Sequence, residues 1–420
     1  MSKKNGNILA IGICFFLFAM ISFVTGLQNP MGIIVKNQFE VSNAMSQLGN
    51  FANFIAYAFL GLPAGFILKR KGYKFTALAA VTVGFVGVAI SFLSGIVGSF
   101  GVYLLGAFVS GFSMCMLNTV VNPMLNTLGG GGNKGNQLIQ LAGSCNSLSA
   151  TIVPVFVGYL IGDAAKASIQ DANPALFIAM GVFALAFAIL FFSHIPEPEL
   201  EAAKANKEKE EGTMTLIKGA LSYKHFVFGI IAIFLYVGIE VGIPNTVNLY
   251  LTSIGIETST AGAVVGIYWL LMLVGRLIGG VLGAKISSRA MVAAVSGLAL
   301  VFLVLGILLP EKIVSFPSVT SELKFAMAQI PLGAVLFVLC GLCTSVMWGA
   351  IFNLAVEGLG KYTSIASGLF MVMVCGGGIV PVIQNAVADA SGFIPSFWVL
   401  VVAVAYILWY ALLGSKVKKA

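Results

Sequence analysis

Carboxamide side chains recur inside long stretches of otherwise apolar sequence. Asn118 and Asn122 are four residues apart and therefore share one face of a helix. A buried carboxamide needs hydrogen-bond partners, and it both donates and accepts, which matches the hydroxyl groups of a sugar. Any single amide could instead join two helices, but their number in both halves of the chain predicts a polar cavity. The candidate binding residues are Gln28, Asn29, Asn118, Asn122, Asn146, Asn245, Asn248, Asn353, Gln384 and Asn385, with Trp269 and Trp348 as surfaces for a sugar ring.

Two charged residues lie within the predicted membrane spans, where ionisable groups are costly and usually functional. Glu240 could bind and release a proton, or ligate a small cation with the help of a carbonyl oxygen that Pro244 frees. A static salt bridge is the alternative for this carboxylate. Arg276 could pair with Glu240 or extend towards the inner surface, and we interpret it as a gating contact. An anionic substrate would require more Arg or Lys within the spans.

The composition defines the class of protein. Hydrophobic residues make up 59% of the 420 residues and charged residues 9%, against about 25% charged in an ordinary soluble domain. The mean hydropathy of +1.01 indicates an integral membrane protein with about a dozen spans of roughly 20 residues. The net charge of +8 comes from short basic clusters between apolar runs, which are typical of topology signals rather than of nucleic-acid binding. No metal and no cofactor is expected beyond a co-transported H⁺ or Na⁺.

A charged segment divides the chain. Residues 196–224 are too polar for hydrocarbon and predict a cytoplasmic linker between bundles at 1–195 and 225–420. Long apolar runs without period-two alternation predict twelve helices, six on each side of the linker. These spans are 8–34, 47–68, 75–95, 98–124, 138–161, 174–194, 225–251, 260–284, 290–309, 331–355, 363–387 and 394–413. Ile152–Val155 recurs as Ile379–Val382 in the fifth and eleventh spans, which indicates a duplicated bundle.

The distribution of Lys and Arg predicts the orientation. With the N-terminus inside, most basic loop residues lie on the cytoplasmic side, so both termini are expected in the cytoplasm. One cluster at the end of the second span, Lys69, Arg70 and Lys71, is expected at an inner gate.

Several motifs resemble the major facilitator superfamily, specifically its fucose–proton symporter family, which includes glucose, galactose and mannose permeases. The resemblance covers nearly the whole chain and is carried by Leu62–Lys74, Leu117–Pro123, Leu141–Ser147, Tyr236–Val241 and Gly376–Pro381. It implies two pseudo-symmetric six-helix bundles that rock about a sugar bound near the middle of the bilayer.

The resemblance also indicates which residues could couple sugar transport to an ion. The fucose symporter has acids where this chain has Asn29 and Asn118, and it shares Asn146. Glu240 is the carboxylate left for coupling, so proton symport, sodium symport and uniport all stay open.

We therefore predict an all-α membrane protein of twelve transmembrane helices that imports a neutral monosaccharide, such as fucose, glucose, galactose or mannose, with cation coupling. Facilitated uniport and export of another small neutral solute are the alternatives. An enzyme is disfavoured because His194 and His225 lie at helix ends beside the linker, and the sequence carries no HExxH or GxSxG motif. The expected partners are the sugar and the bilayer, and a monomer in the cell (inner) membrane is expected.

Overall fold

A computed structural model describes residues 3–27, 31, 34–35, 38–40, 45, 48–161, 167–197, 200, 212–256, 258–310, 312–319 and 325–417. Part of the linker, at 198–199 and 201–211, and the candidates Gln28 and Asn29 lie outside these residues.

The first half of the chain forms six long helices. Helix α1 is Lys3–Gly26, and the continuous stretch Leu48–Val97 contains two helices, α2 (48–71) and α3 (73–97). Helices α4 (Phe100–Leu128), α5 (Gly132–Ile161) and α6 (Asn173–Phe192) follow, with a 3₁₀ turn at Ile169–Ala172 before α6.

The second half begins after a short linker helix, Thr213–Leu221. Helices α7 (Lys224–Ser253), α8 (Thr258–Leu282) and α9 (Ser288–Leu308) come first. A hairpin of β1 (Ile313–Val319) and β2 (Phe325–Pro331) precedes α10, which consists of α10a (Leu332–Thr344) and α10b (Met347–Val356). Helix α11 runs as Thr363–Val372, a 3₁₀ turn at Met373–Cys375, and Gly376–Ser391. The last helix, α12 (Phe393–Trp409), ends in a π turn at Tyr410–Gly414.

The twelve predicted spans are present. Within the described ranges, nine helices are long and apolar enough to cross a membrane, and the bent pair of α10 makes a tenth. One of the nine, Leu48–Val97, is two helices because Gly72 interrupts it, and α5 completes the set. The predicted all-α class is therefore confirmed, although α1 ends at Gly26 rather than at residue 34.

Two features depart from the predicted spans. The connection before α10 contains the antiparallel hairpin, in which Ser315 pairs with Gln329, although no strand was predicted there. Helix α10 is also not continuous, because its two parts meet at 41° around Ser345 and Val346.

The turn between α2 and α3 is held by contacts with the end of α6 and the residues just after it. Gly72 has φ 82° and ψ −177°, a conformation that glycine adopts without strain. The Glu197 carboxylate accepts the backbone N–H groups of Tyr73 and Lys74 at 2.7 and 2.8 Å, capping α3. The Lys74 ammonium in turn donates to the Phe191 and Ser193 carbonyls at 2.8 and 2.7 Å. These reciprocal caps fix the first residues after α6 to the α2–α3 turn.

The two halves of the chain touch closely at one end of the molecule. This end, which we call the basic face, carries Lys69, Arg70, Lys71, Lys134, Lys285, Arg289 and Lys361 at the helix ends. Near it, α2 meets α11 backbone to backbone: a Cβ added to Gly65 would lie 2.9 Å from the Ser364 carbonyl oxygen. Helix α8 meets α5 similarly, with Gly283 close to the backbone of Gln137. Glycine at these contacts allows a separation that side chains would prevent.

Candidate functional site

A cavity of about 260 Å³ lies between the two halves. Its walls come from α1, α2, α4 and α5 of the first half and from α7, α8, α10 and α11 of the second. Thr25, Asn50 and Asn245 line it on the side away from the basic face, and Asn245 is exposed. The cavity is therefore open away from the basic face, and the glycine contacts close the other end.

The centre of the cavity wall is a node of hydrogen bonds around Arg276. Its Nη1 donates across to α5, at 2.9 Å to the Gly143 carbonyl, 2.8 Å to Ser147 Oγ and 3.2 Å to Asn146 Oδ1. Its Nη2 lies 3.4 Å from Glu240 Oε1, and these two side chains are 9% and 16% exposed. The only charged residues that line the cavity in the described part of the chain thus form an ion pair, and the wall carries no net charge.

A chain of amide hydrogen bonds crosses the cavity floor from one half to the other. Trp348 Nε1 on α10b donates to Asn122 Oδ1 on α4 at 3.0 Å. Asn122 Nδ2 donates to the Asn118 carbonyl at 2.9 Å, and Asn118 Nδ2 donates to Tyr57 Oη at 3.1 Å. This chain fixes the orientation of the Trp348 indole, which lines the cavity.

Aromatic rings form a second part of the wall. The Trp348 ring lies 6.2 Å from Tyr236 and 6.1 Å from Phe370, the latter edge-on. Trp269 also lines the cavity and meets Tyr268 edge-on at 5.3 Å. Such faces can pack on the C–H side of a sugar ring while the amides bond its hydroxyl groups.

The structure brings seven of the predicted residues to the cavity wall. They are Asn118, Asn146, Glu240, Asn245, Trp269, Arg276 and Trp348. Asn146 makes contacts in both directions, because its Nδ2 donates to the Phe18 carbonyl at 3.0 Å while its Oδ1 accepts from Arg276.

Other predicted binding residues lie away from the wall. Asn122 is fully buried behind Trp348 and orients it. Asn353 was expected at the cavity, but its amide donates to Ser288 Oγ at 2.9 Å and joins α10b to α9. Gln384 is fully buried beside Gly242 of α7, with no hydrogen-bond partner for its amide within the described residues. Asn248 and Asn385 are partly buried and do not line the cavity.

The predicted gate residues occupy two places. Arg276 lies at the cavity, as described above. Lys69, Arg70 and Lys71 lie at the end of α2 on the basic face, where the Lys71 ammonium is 5.8 Å from the Phe75 ring centroid.

Several lining residues were missing from the predicted set. Gln140 is 2% exposed and lines the cavity from α5. It lies on the same face of that helix as Gly143, Asn146 and Ser147. Gln140 lies six residues before Asn146 and seven before Ser147, about two helical turns, and this spacing was a signal that could have identified it. Tyr57 could have been found similarly, since it lies seven residues after Asn50 on α2.

Metal ligands do not cluster in the described part of the chain, where no group of three His, Cys, Asp or Glu side chains could hold an ion. The cavity offers instead neutral amides, hydroxyl groups, indole rings and one ion pair.

Comparisons with known proteins identify relatives along the whole chain. Residues 11–380 match the model of the Major Facilitator Superfamily. The "Glucose/galactose transporter" of Brucella abortus biovar 1 (strain 9-941) is 33% identical over 99% of this chain and 96% of its own. The "L-fucose-proton symporter" of Escherichia coli (strain K12) is 22% identical over 94% of this chain and 91% of its own. A crystal structure of FucP, a transporter of the superfamily, in the outward conformation has a TM-score of 0.80 at 18% identity, covering 97% of this chain and 98% of that one.

Proposed function

Because the chain belongs to the Major Facilitator Superfamily and, within it, to the glucose/galactose and fucose permeases, we propose that it imports a neutral monosaccharide by alternating access. The observation that carries this proposal is the cavity between the halves, whose polar wall is made of amides, hydroxyl groups and an internal ion pair.

The chemistry of the wall supports an uncharged substrate. A carboxylate or phosphate group would need a cation with free donors, but Arg276 already donates to three acceptors on α5 and pairs with Glu240. Asn118 and Asn146 offer neutral groups that suit hydroxyls, and the indole of Trp348 offers an apolar face. The names of the relatives support a hexose or deoxyhexose as the substrate.

Alternating access is supported by the asymmetry of the closure. The halves meet through Gly61, Gly65 and Gly368 near the basic face, while the cavity is open at the other end. If the basic face is cytoplasmic, as the positive-inside rule predicts, the structure corresponds to a state open to the outside. We propose on the same grounds that residues 1–195 and 225–420 are the two rocking bodies, that 196–224 connects them on the cytoplasmic side, and that both termini are cytoplasmic.

Glu240 is the proposed coupling group. Proton binding would remove the charge of Glu240 and weaken its ion pair with Arg276. The hydrogen bonds that Arg276 donates to α5 would then change as well. A co-transported ion would thereby act on the contact between the halves. Pro244 lacks the N–H that would bond the Glu240 carbonyl, so a sodium ion could use that oxygen together with the carboxylate. The relative named as a proton symporter favours H⁺. The amide at Asn118 favours the alternative of facilitated uniport.

We also propose that the protein acts as a monomer in the inner membrane and needs no cofactor beyond the co-transported ion. The test is uptake of a panel of labelled monosaccharides into proteoliposomes, with and without imposed proton and sodium gradients. Uptake of one or more neutral hexoses, accelerated by one gradient, is expected. Equal uptake under every gradient would establish uniport, and no uptake of any neutral sugar would overturn the proposal.

A further inference from the structure

Hydroxyl side chains within α10 contribute to its break. Helix α10a ends at Thr344, and α10b begins at Met347. The Thr344 hydroxyl donates to the Cys340 and Gly341 carbonyls at 3.1 and 3.2 Å, and the Ser345 hydroxyl donates to Leu342 at 2.6 Å. Side chains that bond the preceding turn in this way bend helices.

Two consecutive carbonyls at the break accept side-chain donors from elsewhere in the fold. Arg276 Nε on α8 donates to the Ser345 carbonyl at 3.3 Å. Gln140 Nε2 on α5 donates to the Val346 carbonyl at 2.7 Å and to Asn136 Oδ1 at 3.3 Å. Val346 also accepts the first backbone bond of α10b, from Ala350 N, at a longer 3.3 Å. The shortest hydrogen bond to these two carbonyls therefore comes from a residue in the other half of the protein.

The packing at the break leaves room for this contact. A Cβ added to Gly349 would lie 2.8 Å from Ile139 Cγ2 and 3.0 Å from Gln140 Nε2. A Cβ at Gly275 would overlap Ser345 Oγ. Glycine at both positions lets α5 and α8 approach the break from two sides.

Trp348 lies two residues beyond Val346, and its indole lines the cavity. The direction of α10b at the break therefore sets where this ring lies. Any rearrangement that separates α5 from α10 withdraws Gln140 from Val346, because the two helices belong to different halves.

We propose that Gln140 is a positioning residue that links the closure of the basic face to the bend in α10 and hence to the position of Trp348. The proposal rests on the alternating-access function above. With the halves closed, Gln140 holds the bend and the indole faces the cavity. With the halves apart, the Val346 carbonyl keeps only its bond from the Ala350 N–H, α10 straightens, and the indole leaves its position on the wall.

The test measures Trp348 without any sugar, so that it does not depend on transport. The reporter protein has Trp269, Trp398 and Trp409 replaced by Phe, and is placed in lipid nanodiscs. Acrylamide quenching and the emission maximum of Trp348 are compared among the reporter, Gln140→Leu and Gln137→Leu. Gln137 is on the same helix and partly buried, and its substitution is the matched control.

Gln140→Leu is expected to change the Trp348 quenching constant and emission maximum, by shifting the ratio of bent to straightened α10 about fivefold, the factor that one buried hydrogen bond is worth. Gln137→Leu should match the reporter. Gly349→Ala should act in the same direction as Gln140→Leu, because its methyl group displaces the Gln140 amide while leaving that side chain intact.

Identical Trp348 spectra in the reporter, Gln140→Leu and Gly349→Ala would overturn the proposal. Gly349→Ala keeps the question answerable if Gln140→Leu does not fold. Hydrogen exchange of residues 342–352 should fall in the same variants, because a straightened α10 bonds these backbone N–H groups more regularly, and unchanged exchange would also count against the proposal. A protein with all four tryptophans that carries no sugar in counterflow, while the reporter shows these shifts, would reject the transport function and leave the link between Gln140 and α10.

Discussion

The closure at the basic face should be sensitive to a single methyl group. A Cβ added to Gly61 on α2 would lie 2.5 Å from Val372 N and 2.7 Å from the Gly368 carbonyl oxygen, both backbone atoms of α11. Ordinary contacts begin at 3.4 Å, so α2 and α11 must separate by several tenths of an ångström. Gly61→Ala should therefore destabilise the state in which this face is closed.

The size of the effect follows from the cost of overpacking. Extra methyl groups in well-packed contacts cost about 1–3 kcal/mol. If that cost falls only on the state that is closed at the basic face, the population ratio of the open state to the closed state rises about 5- to 150-fold. Gly181→Ala on α6 is the matched control, because an added Cβ there meets nothing within 4 Å.

Cysteine alkylation measures this ratio. Asn136→Cys is a suitable reporter, since Asn136 is fully buried near the basic face and lies on α5, away from the substituted contact. The six native cysteines are replaced first, and the rate of reaction with a water-soluble maleimide is followed in nanodiscs. Gly61→Ala should accelerate the reaction at least about fivefold, and Gly181→Ala should not. Equal rates in all three proteins would refute the idea that backbone contact between α2 and α11 sets the closure.

Three further predictions concern single side chains. Asn146→Ala removes both the bond to Phe18 and one of the three α5 acceptors for Arg276, so sugar uptake should be lost at a normal membrane level, and unchanged uptake would exclude Asn146 from the site. Glu240→Gln preserves size but not charge, so exchange of preloaded sugar should survive while accumulation against a gradient is lost; persistent accumulation would rule out Glu240 as the coupling group. Glu197→Ala leaves two N–H groups of α3 uncapped and should lower the stability by about 1–3 kcal/mol, seen as a lower thermal midpoint in detergent. A midpoint equal to that of the unmodified protein would show that the cap contributes nothing.

Much of the fold could be predicted because span length and hydropathy are properties of local sequence. The interruptions could not be predicted in the same way. Ser345 and Val346 carry neither Gly nor Pro, and the break depends on donors from α5 and α8 that only the tertiary structure supplies. Proline, as at position 317, is unfavourable within most strands, but a two-stranded hairpin leaves an unpaired edge that tolerates it.

The residues of the candidate site were likewise predictable only in part. Residue type identified Glu240 and Arg276, because a charge within hydrocarbon requires a partner or a polar cavity. The amides were harder to assign. Asn118 and Asn353 look alike in sequence, yet one lines the cavity and the other joins α9 to α10b. The rotation of each helix about its axis decides between these roles, and spacing within one helix does not determine the direction of its polar face.

The most direct test of the account is counterflow in proteoliposomes without any ion gradient. Preloaded neutral hexose should drive the entry of labelled glucose, galactose or fucose, and the corresponding hexuronate and hexose 6-phosphate should neither enter nor compete. Entry of the charged sugars at a rate equal to that of the neutral ones, or no counterflow by any neutral sugar, would contradict a cavity whose charges are satisfied by each other.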